Sequence, residues 1–329
     1  MEENKKIYQE FLEVSKQIGV PVKKIFDMFW YLLNDTAIDN NRLVQMVGVS
    51  KNALNQIKKA LAIYLNPPSF ETSLKKGAAE KLKKIYDKNY SVEEDLLTIL
   101  VKNDIYKQSL DLLSHFRNNR PIPKRNYDQF IATPETSAKR AALLNFLGDV
   151  EGKRILFLGD DDFTSVVTAN LKSAKEIVAI DIDEEIINSL SLISNELDLK
   201  IKAIKHDLRK PILTELKSKF DTVFIDPPYT PDGIKLFVSR AIEAIDQKNQ
   251  TARIYVCYGS SDRAKERFLP IQEIFTNSGL MLRWVFDRFN RYNGGEAIGS
   301  SSSLYITELT PKVKPLIKGN YDKPIYTNN

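Results

Sequence analysis

The sequence predicts an α/β protein, a doubly wound, mostly parallel sheet with an antiparallel edge, preceded by a helical N-terminal domain. Three observations carry this. The chain has 329 residues, more than one average domain and enough for two. Its first third places apolar residues at helical spacing between short polar turns. From Gly152 onward, short apolar runs alternate with helical stretches, the pattern of parallel strands joined by helices. Apolar residues make up 43% and charged residues 28%, which suits a sizeable core and excludes wholesale disorder. The single cysteine, Cys257, excludes a disulfide framework and a thiolate zinc module and suits a reducing compartment. With only His115 and His206 besides, no metal site is expected. The opening MEENKKIYQEF has acids where a secretory signal has bases, and no run of eighteen apolar residues occurs, so a cytoplasmic protein without a membrane association is expected.

The elements justify this in order. IFDMFWYLLND (25–35) has helical apolar spacing. NRLVQMVGVSKNALNQIKKAL (41–61) reads as helix, turn at Gly48, and a second helix capped by Ser50, a helix-turn-helix. AIYLNPPSFETSLKK, turned at Pro67-Pro68, fits two short wing strands before a helix over 78–86, so residues 1–120 are expected to form a winged-helix-like domain. Such domains read DNA or serve as docking modules. Lys51, Lys58 and Lys59 suit phosphate, but Asn52, Asn55 and Gln56 are weak base readers, and nucleic-acid binding is not the expectation. A further helical region (92–117) runs into RNNRPIPKRNYDQ, whose prolines and charges predict a linker, followed by a helix over 133–147, giving a connecting segment 121–151.

In the catalytic part, expected over 152–310, RILFLG (154–159), EIVAID (176–181), KIKAIKHD (200–207), DTVFID (221–226) and ARIYVCYG (252–259) predict five strands, with a helix over roughly 163–173 after the first. LMLRWVFDRF (280–289) and SSSLYITEL (301–309) predict a terminal antiparallel pair. Cys257 is expected in the core of the fifth strand and His115 exposed on a helix. The tail 311–329, with Pro311, Pro315 and Pro324, is expected to be loosely ordered.

Ligands of an open α/β sheet sit beyond the carboxyl ends of its strands. Those ends carry Gly159-Asp160-Asp161-Asp162, Asp181, His206-Asp207 followed by Leu208, and Asp226-Pro227-Pro228-Tyr229. A carboxylate closing the second strand can accept both hydroxyls of a nucleoside ribose, and one closing the third can accept an adenine amino group. The set resembles the methyltransferase-like Rossmann fold, which holds S-adenosylmethionine or a relative. The first loop discriminates further. Ordinary methyltransferases place glycines there beside the donor's carboxylate; three aspartates would repel that anion by on the order of 4 kcal/mol for one close pair at a surface-like dielectric. They would attract an ammonium group. Decarboxylated S-adenosylmethionine keeps adenosine, sulfonium and amine and lacks the carboxylate, so it is the expected co-substrate. For either residue alone, Asp162 capping the next helix or Asp160 binding a backbone amide is the competing assignment.

GDDDFTS (159–165), VAIDIDEEII (178–187), DPPYTPDG (226–233) and QFIATPETSAKRAALL (129–144) resemble the branched-chain polyamine synthases, or N4-bis(aminopropyl)spermidine synthases, and the similarity runs through essentially the whole chain. The resemblance implies aminopropyl transfer to the internal amine of spermidine, giving tertiary and then quaternary products and methylthioadenosine. Asp162 and Asp226 stand where related aminopropyltransferases carry their catalytic acids, and are expected to flank the attacked carbon. Asp161 or Asp160 is expected to hold a terminal amine and Tyr229 to cover the cationic centre with its ring. Glu135, Tyr258 and Glu296 are expected on the polyamine wall, and Gly159, Asp181, Asp207, Leu208 and Pro227 around the donor. Spermidine and related linear polyamines are the expected partners, the working form a homodimer. The frequent asparagine suits a moderately thermophilic host as well as a hyperthermophilic one. The rival is an amino-group methyltransferase on nucleic acid, since DPPY also stacks on flipped bases; the acidic first loop and the sparse basic charge near DPPY speak against it.

Overall fold

The computed structural model describes residues 2–86, 90, 92, 96–259, 265–293 and 301–327. Its contacts divide the chain into two compact units, Met1–Lys102 with Phe146–Gly148, and Asn103–Asn145 with Asp149–Asn329.

In the first unit, helices α1 (Glu2–Ile18) and α2 (Val22–Asn34) bring Phe11 and Phe29 into a stack with centroids 4.9 Å apart. The expected helix-turn-helix is present as α3 (Asn40–Val47) and α4 (Lys51–Ala60). Asp39 caps α3 by accepting from the backbone N–H groups of Asn41 and Arg42, Gly48 turns the chain at φ +67°, and Ser50 caps α4 through the N–H of Ala53. Leu54 and Ile57 bury one face of α4 while Lys51, Asn52, Asn55, Gln56 and Lys59 stay exposed. The wing is present too: β2 (Glu71–Thr72) pairs antiparallel with β1 (Ile38–Asp39), and Leu65 bridges Leu74 across the Pro67-Pro68 turn. Helix α5 (Ala78–Lys83) follows.

The helical region expected over 92–117 is broken at Asn103, which ends α6 (Leu96–Lys102) and caps α7 (Asp104–His115) by accepting from Ile105 N–H at 2.8 Å. The division between the units falls at this cap, not at 120. The proline-rich stretch 117–129 is irregular but is not a free linker: Arg120 donates to the carbonyls of Ala132 (3.0 Å) and Asp162 (2.7 Å), and Lys124 pairs with Asp183 at 2.7 Å. The residues 121–145 therefore belong with the second unit rather than to a connecting segment.

The second unit carries a seven-stranded sheet built from β3 (Arg154–Leu158), β4 (Glu176–Asp181), β5 (Ile201–Lys205), β6 (Thr222–Ile225), β7 (Arg253–Gly259), β8 (Leu280–Arg291) and β9 (Ser301–Leu309). The order is β5-β4-β3-β6-β7-β9-β8, with only β9 antiparallel to its neighbours. This is the methyltransferase-like Rossmann order. Helices α8 (Pro134–Phe146), α9 (Thr164–Ala169), α10 (Glu184–Glu196), α11 (Pro231–Ala244) and α12 (Leu269–Asn277) join or flank the strands, and β3, β6 and β7 are buried nearly throughout, as strands covered on both faces must be. Cys257 lies buried in β7 and His115 is exposed on α7. The tail differs from expectation: Ile317 and Ile325 are buried, Ile317 N–H donates to Ser239 Oγ at 3.0 Å, and Tyr321 N–H donates to the Arg209 carbonyl at 2.8 Å. Its prolines make it irregular without making it loose.

Candidate active site

The strand order reverses between β3 and β6, where the chain turns away to opposite sides and leaves a crevice at the carboxyl ends. A cleft of about 640 Å³, partly open to solvent, lies there. Gly159, Asp161, Asp181 and Ile182 form one wall, His206 and Leu208 continue it, and Asp226, Pro227, Pro228 and Tyr229 form the other. Residues 127–130 and the tail residues Ile325 and Tyr326 close its sides. Gly159 (φ +76°) is required here, because a Cβ on it would meet the Asp226 carbonyl at 3.0 Å.

The aspartates have distinct surroundings. Asp181 accepts from the backbone N–H groups of Asp183 (2.8 Å) and Asp160 (3.2 Å), which aims it at the cleft; burial lifts its carboxyl to about 6 against those hydrogen bonds. Asp160 is buried and accepts from Ser165 N–H with both oxygens at 3.2 Å; burial puts its carboxyl at about 7. It does not line the cleft, so the capping alternative holds for it and it is not placed to grip an amine. Asp162 is also withdrawn. One oxygen accepts from Ala132 N–H and the other meets Arg140 at 2.6 Å, with the side chain 2% exposed. Both its oxygens are thus engaged in this structure, and it stands within hydrogen-bonding reach of Asp226, the other acid expected at the attacked carbon. Asp226 does line the cleft; Arg140 holds one of its oxygens at 2.8 Å and the Tyr292 hydroxyl donates to the same oxygen at 3.2 Å. Burial raises its carboxyl, Arg140 opposes and Asp162 reinforces, leaving it at about 7. Asp161 lines the cleft and makes no hydrogen bond or ion pair among the described residues. Burial, then the charges of Asp162, Asp226, Asp181 and Asp160, hold its carboxyl well above the usual range.

Two arginines were missed by sequence reasoning. Arg120 lies close enough to feel Asp162, Asp161 and Asp160, and Arg140 is fully buried. Five carboxylates thus face two guanidinium groups, and the site keeps an excess of negative charge when all are ionised. The signal for Arg140 was its position on α8 among Ser137, Ala141 and Leu144, a charge on the buried side of a helix.

Of the second acidic cluster only Asp181 faces the cleft. Asp183 caps α10 through Glu185 N–H and is held by Lys124 and Gln129, while Glu184 pairs with Lys205 at the surface. Asp207 is engaged by Arg209 in a forked pair (2.8–3.0 Å) and leaves the wall to His206 and Leu208. Glu135 is exposed on the first turn of α8 and lines no part of the cleft; Glu296 lies outside the described residues. Tyr229 stands in an aromatic wall, 5.9 Å from the Phe130 ring and 6.3 Å, nearly parallel, from the Tyr258 ring. Its hydroxyl is buried without a hydrogen-bond partner among the described residues. An unpaired carboxylate and a ring wall beside the cleft fit a cationic ligand. Among the described residues no group of His, Cys, Asp or Glu is arranged to hold a metal ion, and no helix is long and apolar enough to cross a membrane.

An uncharacterized protein of Methanocaldococcus jannaschii is 40% identical over 78% of this chain and 64% of its own length. The N(4)-bis(aminopropyl)spermidine synthase of the same organism is 36% identical over 56% of this chain and 54% of its own. The chain thus spans between about half and two thirds of the length of these curated relatives. Among solved structures, the branched-chain polyamine synthase of Thermus thermophilus, in complex with N4-aminopropylspermidine and 5′-methylthioadenosine, superposes with a TM-score of 0.61 at 22% identity, covering 97% of this chain and 96% of that one, which shows a shared fold. The family described as branched-chain polyamine synthase A, C-terminal domain, matches residues 109–326. That match takes in every strand of the sheet, the GDDD loop and DPPY, and by it this chain belongs to the branched-chain polyamine synthase family.

Proposed function

We propose that the chain transfers aminopropyl groups from decarboxylated S-adenosylmethionine to the internal secondary amine of spermidine, releasing methylthioadenosine. The observation that carries this is Asp161: a carboxylate left unpaired in an acid-rich nucleoside cleft, where a donor carboxylate would be repelled and an ammonium group held. The names of the relatives, and the ligands bound in the Thermus thermophilus synthase, support the same substrate class.

Asp181 accepts from the ribose hydroxyls, and Gly159, Leu208 and Pro227 enclose the nucleoside. The acceptor nitrogen lies between Asp161 and Asp226. Its lone pair attacks the propyl carbon attached to sulfur, the carbon–sulfur bond breaks, and the electron pair leaves on sulfur as a neutral thioether. The acceptor is protonated at neutral pH, so its proton must depart before attack, and Asp161, with its raised pKa and no other partner, is the acceptor for it. In a second addition a tertiary amine becomes a quaternary ammonium with no proton to lose, and stabilisation by the Asp226 charge and the Tyr229 ring replaces base catalysis. The homodimer expected from the sequence goes with this reading and is read by light scattering. Mass spectrometry after incubation with spermidine and the decarboxylated donor tests the function: one or two aminopropyl additions with matching methylthioadenosine are expected. No addition, or methylation from intact S-adenosylmethionine, would overturn it.

A further inference from the structure

The Arg140 side chain is 1% exposed and every nitrogen of its guanidinium is engaged. Nε donates to Asn290 Oδ1 at 2.8 Å, Nη1 to Asp162 at 2.6 Å and Thr164 Oγ1 at 3.3 Å, and Nη2 to Asp226 at 2.8 Å and Tyr292 Oη at 3.2 Å. The Phe224 ring lies 5.2 Å from the guanidinium carbon. Asn290 and Tyr292 are themselves tied to Ser302 Oγ at 2.9 Å. Four separate parts of the fold, α8, the GDDD loop, the end of β6 and the end of β8, thus converge on one cation.

The same unit contains a contrasting buried arginine. Arg253 pairs with Asp149 at 2.8 Å and approaches Glu308 at 3.4 Å at the start of β7, and none of these residues lines the cleft. The Arg140 network differs because one of its two carboxylates, Asp226, opens onto the cleft. Both contacts to Asp226 fall on a single oxygen, Oδ2. Asp162 also lies within hydrogen-bonding reach of the Asp226 carboxyl.

We propose that Arg140 is the positioning residue of the reaction: anchored by Asp162 and Asn290, it fixes the rotamer of Asp226 at the edge of the cleft, so that Asp226 is held against the acceptor while Asp161 takes the proton. This rests on the aminopropyl-transfer reading and deepens it. A lysine could supply charge to one carboxylate but cannot reproduce the fork that spans both acids and Asn290. The groups around Asp226 are Asp162 and Asp161 on the first loop, Tyr229 beyond β6, Cys257 on β7, Tyr292 just past β8 and Arg140 on α8. Arg140 is the cation in direct contact among them, so its removal lets burial and Asp162 drive Asp226 toward its protonated form.

The test compares the full-length parent, Arg140→Lys, Tyr292→Phe and, as a structural control, Arg253→Lys, by kcat and KM for spermidine across pH and by methylthioadenosine affinity. The expected result is a fall in kcat of tenfold or more for Arg140→Lys, with nucleoside affinity within about threefold of the parent. Its acid limb of kcat/KM should move to higher pH, because a smaller fraction of Asp226 is ionised at each pH. Tyr292→Phe, which keeps the guanidinium and loses one donor to Asp226, should move the limb the same way by less, and it carries the test if Arg140→Lys does not fold. Arg253→Lys should lower the melting temperature and leave the limb in place. An active parent with unchanged limbs in both Arg140→Lys and Tyr292→Phe would overturn the role of Arg140; a parent that transfers no aminopropyl group would overturn the functional reading beneath it.

Discussion

Binding of a polycation should expel protons from the cleft, and the size of the effect follows from the surroundings of its acids. The Asp226 and Asp160 carboxyls stand at about 7 and Asp181 at about 6 in the ligand-free chain. A polyamine close to these groups favours their ionised forms, so any proton still present must leave on binding. For one linked group titrating at about 7, roughly one site in eleven is ionised at about pH 6 and roughly ten in eleven at about pH 8. The apparent affinity for spermidine should then rise about tenfold from about pH 6 to about pH 8, on the order of 1.4 kcal/mol, and about a hundredfold if two groups are linked. Calorimetric titration of spermidine into the complex with methylthioadenosine, in two buffers of different ionisation enthalpy, reads both affinity and proton count. An affinity flat between those pH values, or proton uptake on binding, would refute the reasoning.

The remaining predictions concern single residues. Asp161→Asn should cost on the order of 10²–10⁴ in kcat, as loss of a general base does, and should raise the melting temperature of the ligand-free chain above pH 7. Asp161 is held above its ordinary pKa, so it stabilises the fold while protonated, and that contribution is lost as rising pH ionises it. Asp162→Asn, one residue along, should do the reverse: it removes one of the two carboxylates held by the buried Arg140 guanidinium and should cost on the order of 1.5–3 kcal/mol, visible as a lowered denaturant midpoint with unchanged m-value. Equal shifts in the two variants would contradict the division of roles. Asp181→Ala should weaken methylthioadenosine binding by roughly 10–150-fold, as expected for loss of a charged acceptor to paired hydroxyls, measurable by calorimetry.

The sheet was legible because fully buried parallel strands are continuous apolar runs and their ends are marked by polar residues; RILFLG and DTVFID show this at the two strands that frame the cleft. The helix-turn-helix was legible for a similarly local reason, the cap at Ser50 and the left-handed turn at Gly48. What was not legible depended on distant partners. That Asp162 and Asp160 are spent on Arg140 and on Ser165, while Asp161 between them faces the cleft, turns on side-chain direction in a loop where Phe163 takes a left-handed φ of 56°. No composition or spacing encodes that choice. The tail was misjudged because prolines signal irregular backbone equally well whether it is solvated or pinned, and Ile317 and Ile325 are the residues that pin it. Likewise the stretch 117–129 looked like a linker, yet Gln129 and Lys124 tie it to Asp183 beside the nucleoside wall.

The central claim is that unpaired negative charge at the mouth of the nucleoside cleft selects a donor without a carboxylate. Parallel titration of decarboxylated and intact S-adenosylmethionine into the same protein tests it most directly. A donor carboxylate brought beside ionised Asp161 is opposed by on the order of 4 kcal/mol at an effective dielectric of about 20, so at a pH high enough to ionise that raised carboxyl the decarboxylated form should bind at least about a hundredfold more tightly. Equal affinities, or a preference for the intact donor, would contradict the account.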